Sequence, residues 1–305
     1  MATVLQPQAF TNEERQKYIG GSDISAVMGL NRWKTPLKLW AEKTGKIEPA
    51  DLSNVDAVKM GNTLEEFVAQ QFSTETGKTV RRAPKKYTHK EYDFMGANID
   101  RLVTGTDELL ECKTCSLWKK DEWGGDDIPQ EYILQVMWYL GITGRKTGYI
   151  AVLIGGQHFR YKKIDFDSEL FETMIEQALE FWNCVQNDIP PAILPADSET
   201  LLELYPSHSV DIIENMEIED KVAYLQELKM HIKSMQDEQK EIETELKNII
   251  NENMGVKTPN YVVTWKEQTS KRVDTQRLKD DGIYEQYLSE SSTRVLRIAK
   301  NKGVA

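Results

Sequence analysis

The side chains of this sequence best suited to chemistry stand in two short stretches, Asn98-Ile99-Asp100 and Leu110-Glu111-Cys112-Lys113. Side chains alternate along a strand, so Glu111 and Lys113 share one face while Cys112 takes the other. If residues 96 to 103 pair with residues 108 to 114, Asp100 comes to lie beside Glu111. Two carboxylates on neighbouring strands make a hard oxygen site for Mg2+ or Mn2+, to which the backbone carbonyl of Cys112 can add a ligand. Lys113, one pleat along, is placed to orient or deprotonate a water for in-line attack on a phosphodiester. An aspartate followed by Glu-x-Lys is also what short solvated strands produce, so the context has to decide. The helix expected upstream offers Glu65 and Glu66, and the helix expected downstream sets Tyr132 and Gln135 at i and i+3, on one side.

These groups need elements to carry them. Ser22 reads as the cap of a short helix ending near Gly29, and Thr35-Pro36 opens another that stops at Gly45. From Asp56 to Gly77 the apolar residues Val58, Leu64, Phe67, Val68 and Phe72 recur at helical spacing. The period then changes, and strands are expected over 79–88, 96–103 and 108–114, the last two joined by the polar turn Thr104 to Asp107. A helix from Pro129 to about Leu140, strands over 148–154 and 157–164 around Gly155-Gly156, and a helix from Ser168 to Asn187 complete the pattern. Helices, a run of strands and helices again predict an α/β (α+β) fold, a central mixed sheet covered by helices.

After Pro190, Pro191 and Pro195 the character shifts. From Glu217 to Met254 there is no glycine or proline, and Val222, Leu225, Ile232, Met235, Ile242, Leu246 and Ile249 follow a 3-4 repeat broken by Lys229 and Gln239. That is a long amphipathic helix, either a coiled coil or an acidic arm packed on its own body. Beyond Gly255 a strand is expected at Tyr261 to Trp265, a helix near Thr275 to Leu288 and a strand at Thr293 to Ile298. The domains expected are thus 1–208, a helical arm over 209–256 and a small α/β tail over 257–305.

With 305 residues, 40% hydrophobic, 29% charged and a mean hydropathy of -0.54, the chain is large enough to bury a real core. No 18-residue apolar run is present, so no membrane partner is expected, and Met1 to Phe10 lacks the pattern of a secretory signal. A cytoplasmic protein follows, and the three cysteines, Cys112, Cys115 and Cys184, fit a reducing compartment. Three thiols cannot form a four-thiolate cluster, and His89, His158, His208 and His231 lack zinc spacing. The absence of a Walker-type loop gives no indication of ATP. The net charge of -11 divides as -8 over residues 1–208, -7 over 209–256 and +4 over 257–305. Much of the excess therefore sits on the arm, and Arg81, Arg82, Lys85, Lys86 and Lys90 form a basic cluster, either a solvated hairpin edge or a face for a polyanion. Trp33 and Trp40 are expected in the core, although a tryptophan between Arg32 and Lys34 can also meet an unpaired base.

Taken together, five ordered blocks resemble one family. They are Ile19-Gly20-Gly21-Ser22-Asp23-Ile24, Trp33-Lys34-Thr35-Pro36 with Leu39-Trp40, Met60-Gly61-Asn62-Thr63-Leu64-Glu65, the Asp100 and Glu111 to Lys113 pair, and Tyr132-Ile133-Leu134-Gln135-Val136. Over residues 13 to 190 the chain resembles the YqaJ-type viral recombinases, relatives of bacteriophage lambda exonuclease in the PD-(D/E)XK nuclease superfamily. The resemblance implies Glu65, Asp100 and Glu111 as metal-binding acids for Mg2+ or Mn2+, with Lys113 as the catalytic lysine. It further implies Gln135 and Tyr132 on the helix that completes the site. Arg15 and Ser22 match the pair that holds the 5'-phosphate of the digested strand, although Ser22 as a simple helix cap uses similar geometry. Ile99 stands where the family has proline, and Asn98 where it has serine.

What the resemblance implies for function is a metal-dependent exonuclease that digests one strand of linear double-stranded DNA from its end, 5' to 3'. The 3' overhang would pass to a RecT-like or lambda-beta-like single-strand annealing protein. Subunits would form a ring around DNA, a trimer by resemblance, in a bacterial cytoplasm and of phage or prophage origin. Two other readings stay open: a structure-specific or nicking endonuclease on the same core, and a non-catalytic binding module that uses the arm to engage a partner.

Overall fold

The computed structural model describes residues 12–83, 86–125 and 127–300. It divides into two units, Met1–Tyr205 and Pro206–Ala305. The first unit runs α1 (Asn12–Gln16), α2 (Gly21–Val27), α3 (Pro36–Lys43), α4 (Asp56–Thr76), β1 (Val80–Arg82), β2 (Tyr87–Thr88), β3 (Gly96–Ala97), β4 (Arg101–Val103) and β5 (Glu108–Cys115). It continues through α5 (Gln130–Thr143), β6 (Thr147–Ile154), β7 (His158–Asp165), α6 (Ser168–Gln186) and α7 (Ser198–Leu204).

Five strands make one mixed sheet in the order β1-β4-β5-β6-β7. Strands β5 and β6 run parallel, with Glu111 opposite Ile150, so the chain must cross over between them, and α5 is that crossover. The remaining pairs of this sheet are antiparallel. One face packs Leu109, Ile150 and Val152 with Val136 and Leu140 of α5 and Ile24 of α2. The other packs Leu110, Ala151 and Leu153 on Val68 and Phe72 of α4. Cover on both faces explains why Gly148–Ile154 is an unbroken buried run rather than an alternating one.

Several expected elements differ in extent. The strand expected over 79–88 is two pieces, β1 and β2, and β2 pairs not with the main sheet but with β3. The strand expected over 96–103 is interrupted at residues 98–100, where the chain passes from β3 to β4. Ser22 is not the helix cap: α2 starts at Gly21 with Gly20 as its cap, and the Asp23 carboxylate accepts the Gly20 N–H at 3.1 Å. Trp40 is core as expected, but Trp33 is not; its indole is 61% exposed. Lys85 of the basic cluster lies outside the described residues, as does Met1 to Phe10, while Lys86 lies 3.8 Å from the centre of the Tyr18 ring rather than on a solvated edge.

In the second unit α8 (Glu219–Ile250) is followed by β8 (Gly255–Lys257), β9 (Val262–Thr264) and α9 (Thr275–Asp280). Strands β8 and β9 pair antiparallel, with Val256 opposite Val263. The helix expected to reach Leu288 stops at Asp280, because Gly282 turns the chain with φ 69, and Thr293 to Ile298 forms no strand. No described helix is long and apolar enough to cross a membrane.

Candidate active site

Strand register brings the acids together. Arg101 lies opposite Leu110 and Leu102 opposite Leu109, and the same register carried one residue outward sets Asp100 against Glu111. Asp100 sits at the bend before β4, where its Oδ2 accepts the backbone N–H of Cys112 at 2.8 Å. Glu111 is buried on the α5 side of the sheet. Its Oε1 accepts from Lys113 Nζ at 2.5 Å and from Gln135 Nε2 at 2.7 Å, while its buried Oε2 has no hydrogen-bond partner. Tyr132 reaches the same place from one turn earlier on α5: Lys113 Nζ is 5.0 Å from its ring centre, and the ring stacks on Trp123.

The electrostatics follow from this packing. Burial, then the charges of Glu111 and Glu65, push the Asp100 carboxyl well above the usual carboxylate range. Burial works against the charge on Lys113, but Glu111 and Asp100 outweigh it and hold the amine above the ordinary lysine value. Lys113 is therefore an ammonium in this arrangement, a donor rather than a proton acceptor. Burial and the same two acids raise the Cys112 thiol and the Tyr139 phenol. Cys112 and Cys115, three apart on β5, point to opposite faces: Cys112 packs on the α4 side and Cys115 on the α5 side. They cannot act as a Cys-x-x-Cys pair.

Glu65 lies near enough to raise Asp100 but is itself engaged by Arg101. Glu65 Oε1 is 2.5 Å from Arg101 Nη1, and Glu66 Oε2 is 3.0 Å from Arg101 Nη2, with Arg82 3.6 Å from Glu66. Among the described residues no group of three His, Cys, Asp or Glu side chains stands close enough to hold a metal ion. The donor set nevertheless fits a hard cation. Two neighbouring carboxyls stand beside one ammonium that bonds only Glu111, one buried oxygen is unsatisfied, and a third acid is held nearby by the Arg101 guanidinium.

Arg15 and Ser22 are both exposed, on α1 and in the first turn of α2. The backbone between them is pinned by Lys43, whose buried amine donates to the carbonyls of Arg15 and Tyr18 at 2.6 Å each and pairs with Asp23 at 2.8 Å. Helix α2 in turn sits hard on α5, since a Cβ on Gly21 would fall 2.3 Å from the Tyr139 ring. The Tyr139 hydroxyl accepts from Gln135 Nε2 at 2.8 Å. Arg101, Lys43 and Tyr139 were not singled out in the sequence. The alternation of β4 and the i, i+4 spacing of Gln135 and Tyr139 are the signals that point to two of them.

Comparison with known proteins gives a consistent picture. Residues 12–146 match the model of the YqaJ-like viral recombinase domain. The uncharacterized protein YqaJ of Bacillus subtilis (strain 168) is 38% identical over 293 residues, covering 92% of this chain and 91% of that protein. A crystal structure of an alkaline exonuclease, LHK-Exo, from Laribacter hongkongensis superposes with a TM-score of 0.50 at 20% identity, covering 57% of this chain and 91% of that one. At that identity the likeness establishes a common fold, a mixed sheet flanked by helices.

Proposed function

The chain belongs to the YqaJ-like viral recombinase family, and on that premise we propose that it is a metal-dependent deoxyribonuclease. The observation that carries the reading is the convergence of Asp100, Glu111, Lys113 and Gln135 beside the β4–β5 pair. Asp100 and Glu111 would hold the ion, with Glu65 leaving Arg101 to complete its shell and the carbonyl of Cys112 close by. Bound there, Mg2+ or Mn2+ supplies charge neutralisation at the scissile phosphate and an acidified water. The chain's own residues do the rest. Gln135 fixes the Glu111 carboxylate from the side, and the Tyr132 ring faces the Lys113 ammonium. The ammonium of Lys113 then orients the attacking water and offsets charge on the phosphodiester oxygens.

The finer reading is that of a 5'-3' exonuclease on linear double-stranded DNA. Arg15 and Ser22 are exposed on α1 and on α2, which docks against α5, and in this reading they would hold a terminal 5'-phosphate while the adjacent linkage is cut. The product would be a 3' single-stranded overhang for a RecT-like or lambda-beta-like annealing protein. The enzyme would act as a ring-shaped oligomer, a trimer by family likeness, in the cytoplasm of a bacterial host.

The test uses end-labelled linear duplex with Mg2+. Progressive loss of the 5'-phosphorylated strand is expected, abolished in Lys113→Ala and slowed on 5'-hydroxyl ends in proportion to the role of Arg15. Degradation that persists in Lys113→Ala would overturn the reading, and cutting of covalently closed circles would replace the exonuclease with an endonuclease.

A further inference from the structure

The long helix of the second unit carries an apolar seam that nothing described so far uses. In α8 the seam runs from Leu225 to Ile249 with strict 3-4 spacing, eight positions with one polar member, Gln239. The 3-4 spacing runs through Leu228 rather than Lys229, which flanks the seam. Five of the eight are exposed large hydrophobics, Ile232 at 54%, Met235 at 70% and Ile242 at 52% among them. A 3.5-residue repeat sustained over three and a half heptads is the pattern of a helix that packs along its length on another helix.

The charges that flank the seam say which helix. The N-terminal half is edged by Lys229 and His231, the C-terminal half by Glu238, Glu243 and Glu245, all exposed. Two copies side by side in parallel would set Glu238 against Glu243 of the other copy, twice. Two copies laid antiparallel about Asp237 match three apolar layers, Leu225 on Ile249, Leu228 on Leu246 and Ile232 on Ile242, each twice. The same register sets Lys229 against Glu243 and His231 against Glu245, again twice, at the cost of one Glu238–Glu238 contact. Gln239 then lies over Met235 with the Gln236 amide beside it. Among the described residues Glu243 is engaged by Gln239 at 2.8 Å and Lys247 at 3.8 Å, contacts at the surface that leave it able to take a second cation.

We infer that α8 pairs antiparallel with the α8 of a second copy of this chain, in the register centred on Asp237. The interface is two-fold and self-complementary, so each favourable flanking pair counts twice, and flanking charges of this kind set orientation more than strength. It rests on nothing about DNA. Whatever assembly the first unit makes, the arm doubles it.

Sedimentation of the full chain tests the pairing. Ile232→Asp is expected to halve the mass of the assembly. Lys229→Glu is expected to weaken the pairing about tenfold, roughly 1.4 kcal/mol. Adding Glu243→Lys to the same chain should restore it, a reciprocity that general unfolding would not produce. Orientation is read by spin labels on cysteines introduced singly, with the native cysteines replaced by serine. Labels at Ala223 should lie about 42 Å apart along the axis at 1.5 Å per residue, and labels at Asp237 nearly level. An assembly whose mass Ile232→Asp leaves unchanged, a double swap that fails to restore, or short distances at both positions would each overturn the inference.

Discussion

Asp23 and Asp100 are two carboxylates of one domain, both largely shut away from water, and their surroundings push them in opposite directions. At the start of α2, burial would raise Asp23, but the Lys43 ammonium at 2.8 Å and the Gly20 N–H hold it below the usual carboxylate range. At the start of β4, burial and the neighbouring Glu111 and Glu65 raise Asp100, and the Lys113 amine beside it donates to Glu111 instead. The first site is complete as it stands and can only be damaged. The second is short of positive charge, which is the electrostatic signature of a place built for a partner rather than for stability alone.

The largest test of that contrast is catalytic. Lys113→Ala should lower DNA cleavage by about a thousandfold or more, within the range for loss of a positioned charge in a hydrolytic site, while single-turnover assays and thermal melting show the fold intact. Lys43→Met should do the reverse. It strands Asp23 and two backbone carbonyls, so a loss of about 3–5 kcal/mol in denaturant melts is expected, with activity falling only as the fold does. Asp100→Asn should raise the melting temperature of the metal-free protein by about 2–4 °C and abolish any thermal shift on adding Mg2+ or Ca2+.

Titration separates the two acids by sign. The folded protein holds the Asp100 proton more tightly than the unfolded chain does. Its contribution therefore favours folding most at low pH, and is lost as pH climbs from the ordinary carboxylate range towards the raised value. Asp23 contributes above the ordinary carboxylate range and is lost as pH falls through its lowered value. In EDTA, melting curves of Asp100→Asn and Asp23→Asn against wild type should thus diverge with opposite slopes across pH 3 to 7. The smallest effect is reserved for Arg101's two partners: Glu66→Gln should change stability by about 0.5 kcal/mol or less, as expected for a half-exposed ion pair, and leave metal affinity by calorimetry unchanged. Glu65→Gln should weaken metal binding.

Much of this was legible in the sequence because it rests on local rules. The β5 alternation, the glycine turn at Gly155-Gly156, with φ of 59 and 72, and the Gly77 stop of α4 are each dictated by a few adjacent residues. The pairing of Asp100 with Glu111 followed from one hairpin register. What was not legible depends on residues far apart in the chain. Ser22 was misread as a cap because Gly20 borrows the carboxylate of Asp23, which Lys43 fixes from α3. The pairing of Glu65 with Arg101 was not legible either, because nothing in the Glu65 stretch reveals a guanidinium some thirty-six residues further along the chain. Trp33 was assigned to the core by residue type, whereas its ring stays outside, between the Arg32 guanidinium and the Lys119 amine.

The bare backbone of Gly21 against the Tyr139 ring has a further consequence. From that contact a chain of side chains runs through the Tyr139 hydroxyl and the Gln135 amide to Glu111. A methyl group added at Gly21 would press on the Tyr139 ring, so Gly21→Ala should disturb the Glu111 carboxylate without touching it.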